Sequence, residues 1–225
     1  MKKINFDEWC KSLWLKFSLL ITGVMIVLIL VFWNIWSVPL KCIAAIAALI
    51  PVHATEEWFF PGGFAFQYNL FLYKSEKPKA YPMNRASDMV TVLGTTIMYA
   101  AIVFCFMING KSLPNGVLLG ATCFSFLEVS VHTYFGIRAY NKFEDKGKTT
   151  IYSAGMMTAY TGFLPLAVIM IRQIILQGIG VKDIVICLLI LGITSILCFV
   201  PEKKFKNTDS PYAYPDTGYY EKYIK

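Results

Sequence analysis

Charged side chains are scarce in this chain of 225 residues, of which 56% are hydrophobic and 16% are charged. The mean hydropathy of +0.55 is too high for an ordinary water-soluble domain of this length. Uncharged runs of about 20 residues are long enough to cross about 30 Å of hydrocarbon. The scarcity of charge therefore excludes a typical soluble domain and predicts an integral membrane protein.

Cysteine patterns typical of metal or redox sites are also missing. The chain has six cysteines, and none forms a CxxC pair or another spacing typical of zinc ligands. We interpret them as small buried hydrophobic residues, because most lie inside apolar runs. This absence excludes cysteine chemistry as the obvious source of function. The chain also has no internal repeat and no room for a separate soluble domain.

Six apolar runs predict an all-α, polytopic membrane protein with six transmembrane helices. We place them at Leu19–Trp36, Ile43–Phe60, Met89–Ile108, Val117–Ile137, Ile151–Ile171 and Ile184–Val200. They predict one transmembrane domain over residues 1–200. A polar cytoplasmic tail follows over residues 201–225, and we expect it to be disordered or to lie on the inner leaflet.

The distribution of basic residues predicts the orientation. With the N-terminus in the cytoplasm, all but four of the 21 lysine and arginine residues fall on cytoplasmic segments. The four exceptions are Lys41, Lys111, Arg172 and Lys182. The positive-inside rule thus predicts six spans with both termini in the cytoplasm. The net charge of +7 reflects this distribution and does not predict a nucleic-acid partner.

Five ionisable residues interrupt the apolar runs and include the only two histidines: His53, Glu56, Glu57, Glu128 and His132. A carboxylate at the centre of a bilayer costs roughly 2.5–3.5 kcal/mol on insertion scales. No lysine or arginine lies in the core of a span to neutralise these groups. Because helix residues at i, i+3 and i+4 share a face, the first three project from one side of span two. The last two project from one side of span four.

Both groups are predicted at one depth, in the cytoplasmic half of the bilayer, so they converge if spans two and four are neighbours. Two imidazoles and two or three carboxylates form a ligand set for zinc, iron or manganese. We therefore predict a divalent metal site, zinc or iron, with all five residues as candidate ligands. Glu56 and Glu57 are the candidate catalytic groups.

The chemistry of this cluster is left open by the sequence. The spacings differ from the Glu-x-x-His units of di-iron helical bundles. A zinc ion with three ligands and a spare glutamate as general base is equally compatible. Alternatively, the carboxylates are protonated and join helices through hydrogen bonds.

Two further segments are expected near the cluster. Tyr152, Ser153 and Thr158 begin the fifth span at the same depth, where they either pack helices or hydrogen-bond to metal ligands or substrate. The sequence FAFQYNLFLY after Gly63 is too short to span the bilayer. It predicts an interfacial or re-entrant segment that could cover the site.

The sequence HATEE at residues 53–57, followed by FPGGF at residues 60–64, resembles the signature of the HxxEE-motif membrane proteins, a bacterial family. His132 and the pattern YxxGxxT at residues 152–158 also fit, although Ala154 stands where the family often has proline. The resemblance covers about residues 40–200. It implies a multi-span protein of the bacterial cytoplasmic membrane, with its His and Glu residues suggesting an enzyme, and it supplies no substrate.

Similarity to the CAAX-type intramembrane proteases is weaker. Glu56, Glu57 and His132 suggest the paired-glutamate motif of those enzymes. However, Pro61 stands where that motif has arginine, Glu128 stands where it has phenylalanine, and a third histidine is missing.

The sequence thus predicts a membrane metalloenzyme that hydrolyses or oxidises a lipid-like or membrane-embedded substrate, which reaches it from the cytoplasmic leaflet. One alternative is a proton- or cation-coupled transporter that uses the carboxylates as a relay. The lack of an inverted repeat, and of acidic groups in the outer half of the spans, disfavours a transporter. Another alternative is a non-enzymatic membrane protein with a structural His/Glu cluster. The bilayer is the predicted partner.

Overall fold

The computed structural model of the protein describes residues 5–109 and 112–224, and the regular structure in these residues is helical throughout. Its main helices are α1 (Phe6–Val31), α2 (Val38–Trp58), α3 (Phe64–Phe71), α4 (Arg85–Asn109), α5 (Asn115–Lys146), α6 (Met156–Gln177) and α7 (Val181–Phe205). All of them except α3 are long and apolar enough to cross a membrane. The prediction of an all-α protein with six candidate spans is confirmed.

The first span is longer than predicted. α1 begins at Phe6 rather than near Leu19. Its polar N-terminal turns stay helical because Trp14 is fully buried and packs on Trp58 of α2, with ring centroids 5.1 Å apart. Burial of a large aromatic side chain stabilises these turns despite their charged neighbours.

The fifth span begins later than predicted. Residues 151–155 are not helical, and α6 starts at Met156 rather than at Ile151. Gly155 has a φ of +93°, a left-handed conformation that cannot continue a right-handed helix. Tyr152 and Ser153 therefore lie on a loop that runs into α6.

α2 is the most enclosed of the candidate spans. It packs between α1 and α4 and also contacts α5 and α6. Buried Ala44, Ala47 and Ala54 allow these close approaches. Thr22 of α1 donates a hydrogen bond of 2.9 Å to the carbonyl oxygen of Ala48. The HATEE sequence is thus carried by the central helix of the bundle.

α7 packs against both α4 and α5, and α5 also packs against α6. At the start of α5, a Cβ on Gly116 would lie only 2.4 Å from the carbonyl oxygen of Asp183 on α7. Only glycine allows the two backbones to approach so closely. Helices α2, α4, α5 and α7 contribute residues to one cavity that His53, Glu57 and Glu128 also line.

The two ends of the described chain lie at the same end of the bundle. The ring of Phe6 is 5.8 Å from Phe205 and 5.5 Å from Tyr212, measured between centroids. That this end faces the cytoplasm remains a prediction from the charge distribution. Four lysines used in that count lie outside the described residues: Lys2, Lys3, Lys111 and Lys225.

The segment after α7 packs on the bundle, so the expectation of a disordered tail was wrong for residues 206–224, and its position at the inner leaflet stays a prediction. The backbone N–H of Tyr214 donates to the carbonyl oxygen of Lys79 at 2.8 Å, and that of Tyr219 donates to Gly62 at 3.0 Å. Tyr220 and Tyr223 are buried in an aromatic cluster with side chains of α3 and α5. Aromatic burial outweighs the polar composition of this segment.

Candidate metal centre

The two histidines of the chain meet in the centre of the bundle. His53 lies on α2 and His132 on α5, and both are buried. Their Nε2 atoms are 3.1 Å apart, with the rings nearly perpendicular. Spans two and four are therefore in contact at the level of the histidines.

Two carboxylates flank this pair. Oε1 of Glu57 lies 3.4 Å from Nε2 of His53 and 3.3 Å from Nε2 of His132. Oε2 of Glu128 lies 3.4 Å and 3.6 Å from the same two atoms. Candidate ligand atoms of His53, Glu57 and His132 all lie within 4.8 Å of one another. Glu128 lies beside this group and is more exposed, at 20% of its side chain against 7% for Glu57.

These distances match those between the ligands of a small cation. Zinc bonds to imidazole nitrogen and carboxylate oxygen of about 2.0–2.1 Å give a tetrahedron whose edges measure roughly 3.3–3.4 Å. The three distances among Nε2 of His53, Nε2 of His132 and Oε1 of Glu57 are 3.1, 3.3 and 3.4 Å, which fits one face of such a tetrahedron. One ion can therefore contact these three atoms without a rearrangement of the helices, whereas Glu128 is not part of this group.

Glu56 lies outside this group, although it is next to Glu57 in the sequence. Consecutive helical residues point about 100° apart, so the two glutamates diverge on either side of His53. The carboxylate of Glu56 accepts hydrogen bonds from the backbone N–H groups of Met157 at 2.9 Å and Thr158 at 2.8 Å. These are free donors in the first turn of α6, where a negative charge is favoured. Glu56 thus serves as an anion at the N-terminus of α6, and no lysine or arginine is needed to balance it.

Thr158 connects Glu56 to His53. Its Oγ1 lies 2.6 Å from Oε2 of Glu56 and 2.6 Å from Nδ1 of His53. A threonine hydroxyl has one proton, and an ionised carboxylate only accepts hydrogen bonds. The hydroxyl therefore donates to Glu56 and accepts the proton of Nδ1. This tautomer leaves a lone pair on Nε2 of His53, which faces His132.

His132 is held in place by close packing. A Cβ on Gly155 would lie 2.1 Å from Cε1 of the ring, and the ring of Phe64 is 5.3 Å away between centroids. Ser153 donates a hydrogen bond of 2.7 Å to the carbonyl oxygen of His132. Nδ1 of His132 is buried without a hydrogen-bond partner among the described residues. The polar contacts of the ring are thus concentrated at Nε2.

The three residues expected to support the site all contact it. Ser153 and Thr158 hold His132 and His53 as described, and Tyr152 donates a hydrogen bond of 2.9 Å to Oε1 of Glu56. Burial raises the pKa of Tyr152, and the Glu56 carboxylate raises it further, so the hydroxyl keeps its proton. Phe64 of α3 covers His132, in agreement with a covering role for the segment after Gly63.

A cavity of about 300 Å³ opens beside the cluster. His53, Glu57 and Glu128 form one wall, and the remaining lining is mostly apolar, with aromatic rings from Phe124 and Phe163. The carboxylates of Glu57 and Glu128 can therefore reach a molecule bound in this cavity.

A second cavity, of about 550 Å³, lies at the end of the bundle where the chain termini meet. It is more polar, and Lys11, Arg85 and Asp216 are among its lining residues. Glu57 and Phe64 line both cavities. Glu57 thus lies between the two cavities, one apolar and one polar.

Two acidic residues of the apolar cavity were missed from the sequence. Asp88 accepts a hydrogen bond from the hydroxyl of Tyr214 at 3.0 Å, and Glu202 accepts from Tyr68 at 2.7 Å and Tyr73 at 3.0 Å. Both acids lie near the ends of spans, where polar side chains are ordinary. The sequence feature that could have pointed to them is the tyrosine content of the neighbouring segments, because tyrosine hydroxyls donate the hydrogen bonds to both acids.

The comparisons with known proteins identify one family. A family model described as "Protein of unknown function with HXXEE motif" matches residues 44–170, which is more than half of the chain. The matched range contains the site residues His53, Glu56, Glu57, Glu128, His132, Tyr152, Ser153 and Thr158. The searches of curated proteins and of solved structures find no match.

Proposed function

The chain belongs to the HXXEE family, as the sequence predicted, and we propose that its His/Glu site binds one divalent metal ion and that the protein is a metal-dependent membrane enzyme. One observation carries the proposal. The buried Nε2 atoms of His53 and His132 face each other at 3.1 Å, with a carboxylate oxygen from Glu57 and one from Glu128 within 3.6 Å of both.

A bound cation explains the charge of the site better than protonation does. In the described part of the chain, the two histidines are the only ionisable groups that pair with Glu57 and Glu128. The tautomer set by Thr158 leaves Nε2 of His53 without a proton of its own. Two carboxylates and an unprotonated imidazole nitrogen would repel one another in a low-dielectric interior, and a divalent cation removes that repulsion.

Zinc fits the arrangement best. Two histidines and one glutamate are the ligand set of a common class of catalytic zinc sites, which keep an open position for water or substrate. The three ligand atoms are spaced like one face of a zinc tetrahedron, which leaves the fourth position open. A zinc ion held here would supply a Lewis acid for a water molecule and for a carbonyl or phosphoryl oxygen.

The surrounding residues have distinct roles in this proposal. Glu57 joins the two histidines as a ligand. Glu128 is the more exposed carboxylate and faces the apolar cavity, where it is placed to accept a proton from water. Glu56 contacts neither histidine and acts through Thr158 as a positioning residue. The polar cavity that reaches Glu57 supports hydrolysis over oxidation, because it offers water a path to the site.

The cavity and the six apolar helices support a lipid-like or membrane-embedded substrate. We place the protein in a bacterial cytoplasmic membrane, with the site in the cytoplasmic half of the bilayer. This location follows from the charge distribution and from the family resemblance.

Elemental mass spectrometry of purified protein tests the proposal. The protein is prepared without a polyhistidine tag, as wild type and as His53→Ala/His132→Ala, with Lys77→Ala as a control on the exposed surface. We expect about one equivalent of zinc in the wild type and the control, and little in the double variant. A folded wild type that binds no zinc, iron or manganese after incubation with each metal would overturn the proposal. Protonated carboxylates in a transporter or a structural cluster would then be the better explanation.

A further inference from the structure

The apolar cavity opens on the flank of the bundle rather than at its end. Leu127 of α5, Phe199 of α7 and Leu72 after α3 line it and are themselves more than half exposed. Leu127 and Phe199 lie within two helices that are long and apolar enough to cross a membrane, so we expect hydrocarbon around them. A ligand can therefore reach the cavity directly from the bilayer.

The size of the cavity limits what fits. About 300 Å³ is at the lower end of the range for pockets that bind small molecules. Such a volume holds one alkyl chain beside the rings of Phe124 and Phe163. A phospholipid with two chains is too large to enter whole.

The charged side chains that line the cavity are all acidic. Four carboxylates line the cavity, from Glu57, Asp88, Glu128 and Glu202. Neither lysine nor arginine is among the described residues that line it. A divalent ion at the histidines offsets Glu57 and Glu128, but the carboxylate of Glu202 remains in the lining, where the hydroxyls of Tyr68 and Tyr73 donate to it. A negatively charged ligand would face this carboxylate in a low-dielectric space.

We propose that the cavity binds a single-chain amphiphile without negative charge, which enters from the bilayer past Leu127 and Phe199. Its chain lies against the aromatic wall, and its polar end lies at the His/Glu cluster. Binding of this ligand is independent of any reaction. The identification of the ligand as the substrate rests on the proposed function.

Ligand binding by protein in lipid nanodiscs tests this inference. Four probes with the same 12-carbon chain are compared at equal mole fraction in the membrane: a monoacylglycerol, an alkylamine, a fatty acid and a lysophosphatidic acid. The readout is the shift of the thermal unfolding midpoint, titrated to give an apparent affinity. We expect the monoacylglycerol and the amine to bind at least about tenfold more tightly than the two anions. Equal or tighter binding of the anions would overturn the proposal.

Two sets of variants locate the binding. Leu127→Trp narrows the mouth and should abolish the shift, whereas Leu188→Trp, at an exposed position that does not line the cavity, should leave it unchanged. Asp88→Asn/Glu202→Gln should strengthen binding of the fatty acid by about tenfold. A shift that survives Leu127→Trp, or no shift with any of the four probes in folded wild-type protein, would show that the cavity is not the binding site.

Metal content measured on the same samples separates the two proposals. If the protein contains metal but binds none of the probes, only the ligand inference is overturned. Probe binding without metal overturns the proposed function and leaves the ligand inference intact.

Discussion

Nδ1 of His53 lies 2.6 Å from the hydroxyl oxygen of Thr158, a residue of α6 that is 105 positions further along the chain. The hydroxyl is committed to Glu56, so it accepts the Nδ1 proton and fixes which nitrogen of His53 is free. The glutamate that does not reach the histidines thus still determines how one of them can bind a metal.

Replacement of Thr158 tests this arrangement. Thr158→Val keeps the shape of the side chain but cannot accept the Nδ1 proton, so we expect zinc affinity to fall by about 10–100-fold. Thr158→Ser keeps the hydroxyl and should retain most of the affinity. Zinc affinity is measured by competition with a chelator. If the valine and serine variants bind zinc with equal affinity, the Thr158 hydroxyl does not orient His53 for metal binding.

The two adjacent glutamates should respond differently to the same substitution. Glu56→Gln places an amide where four donors converge, and we expect it to destabilise the fold by about 2–3 kcal/mol. Glu57→Gln removes a ligand and should lower zinc content with a smaller loss of stability. Thermal unfolding and metal content are measured on both variants. The opposite pattern, with metal lost only in Glu56→Gln, would place Glu56 in the ligand set instead.

Gly155 and Gly147 form a matched pair for testing the packing around His132. Both have positive φ, of +93° and +86°, so alanine strains the backbone at either position by about 1 kcal/mol. Only at Gly155 does the new Cβ meet the imidazole ring. We expect Gly155→Ala to lose zinc and Gly147→Ala to keep it. If Gly155→Ala binds zinc normally, the position of the ring is not set by this contact.

The hydrogen bond from Tyr214 to Asp88 predicts that the segment after α7 stabilises the fold at the apolar cavity. Tyr214→Phe leaves a buried carboxylate without its donor and should cost about 1–3 kcal/mol. Adding Asp88→Asn should cost less in Tyr214→Phe than in the wild type, because both substitutions act on the same hydrogen bond. Tyr212→Phe is the control, since that ring packs on Phe6. Stability is measured by thermal unfolding, and additive effects of the first two substitutions would exclude the coupling.

The buried Lys148 predicts that the free energy of unfolding depends on pH. It is buried beside Tyr219, and burial lowers its pKa below the ordinary value of 10.5. In the window between the lowered pKa and 10.5, the folded state binds fewer protons than the unfolded state. Stability should therefore rise with pH in that window.

Thermal unfolding between about pH 8 and pH 10, in wild type and in Lys148→Met, measures this effect. The slope of stability against pH should be smaller in the variant than in the wild type. If the two slopes are equal, groups other than Lys148 cause the pH dependence.

The six spans and the two His/Glu groups could be predicted because both depend on local periodicity, whereas the contact between spans two and four that brings the groups together could not. Apolar runs define the spans, and a spacing of four residues puts His53 with Glu57 and Glu128 with His132 on helix faces. The same periodicity cannot separate Glu56 from Glu57, since each lies within about 60° of His53 around the helix. That separation depends on where the N-terminus of α6 lies, which is a long-range relationship.

The roles of Asp88, Glu202 and the segment after α7 could not be predicted for a related reason. An acidic residue at a span end and a polar, tyrosine-rich segment look solvated when they are considered singly. Each becomes buried because the other supplies the missing hydrogen bond, as Tyr214 does for Asp88. Such mutual burial has no signature within one window of sequence.

The hydrogen bonds that the start of α6 donates to Glu56 also join two candidate membrane spans mechanically. The tilt of a span adjusts to the thickness of the surrounding bilayer. A change in the tilt of α6 shifts Thr158, and Thr158 is the residue that orients the imidazole of His53. We therefore expect the thickness of the membrane to affect the direction of the His53 lone pair through this one side chain.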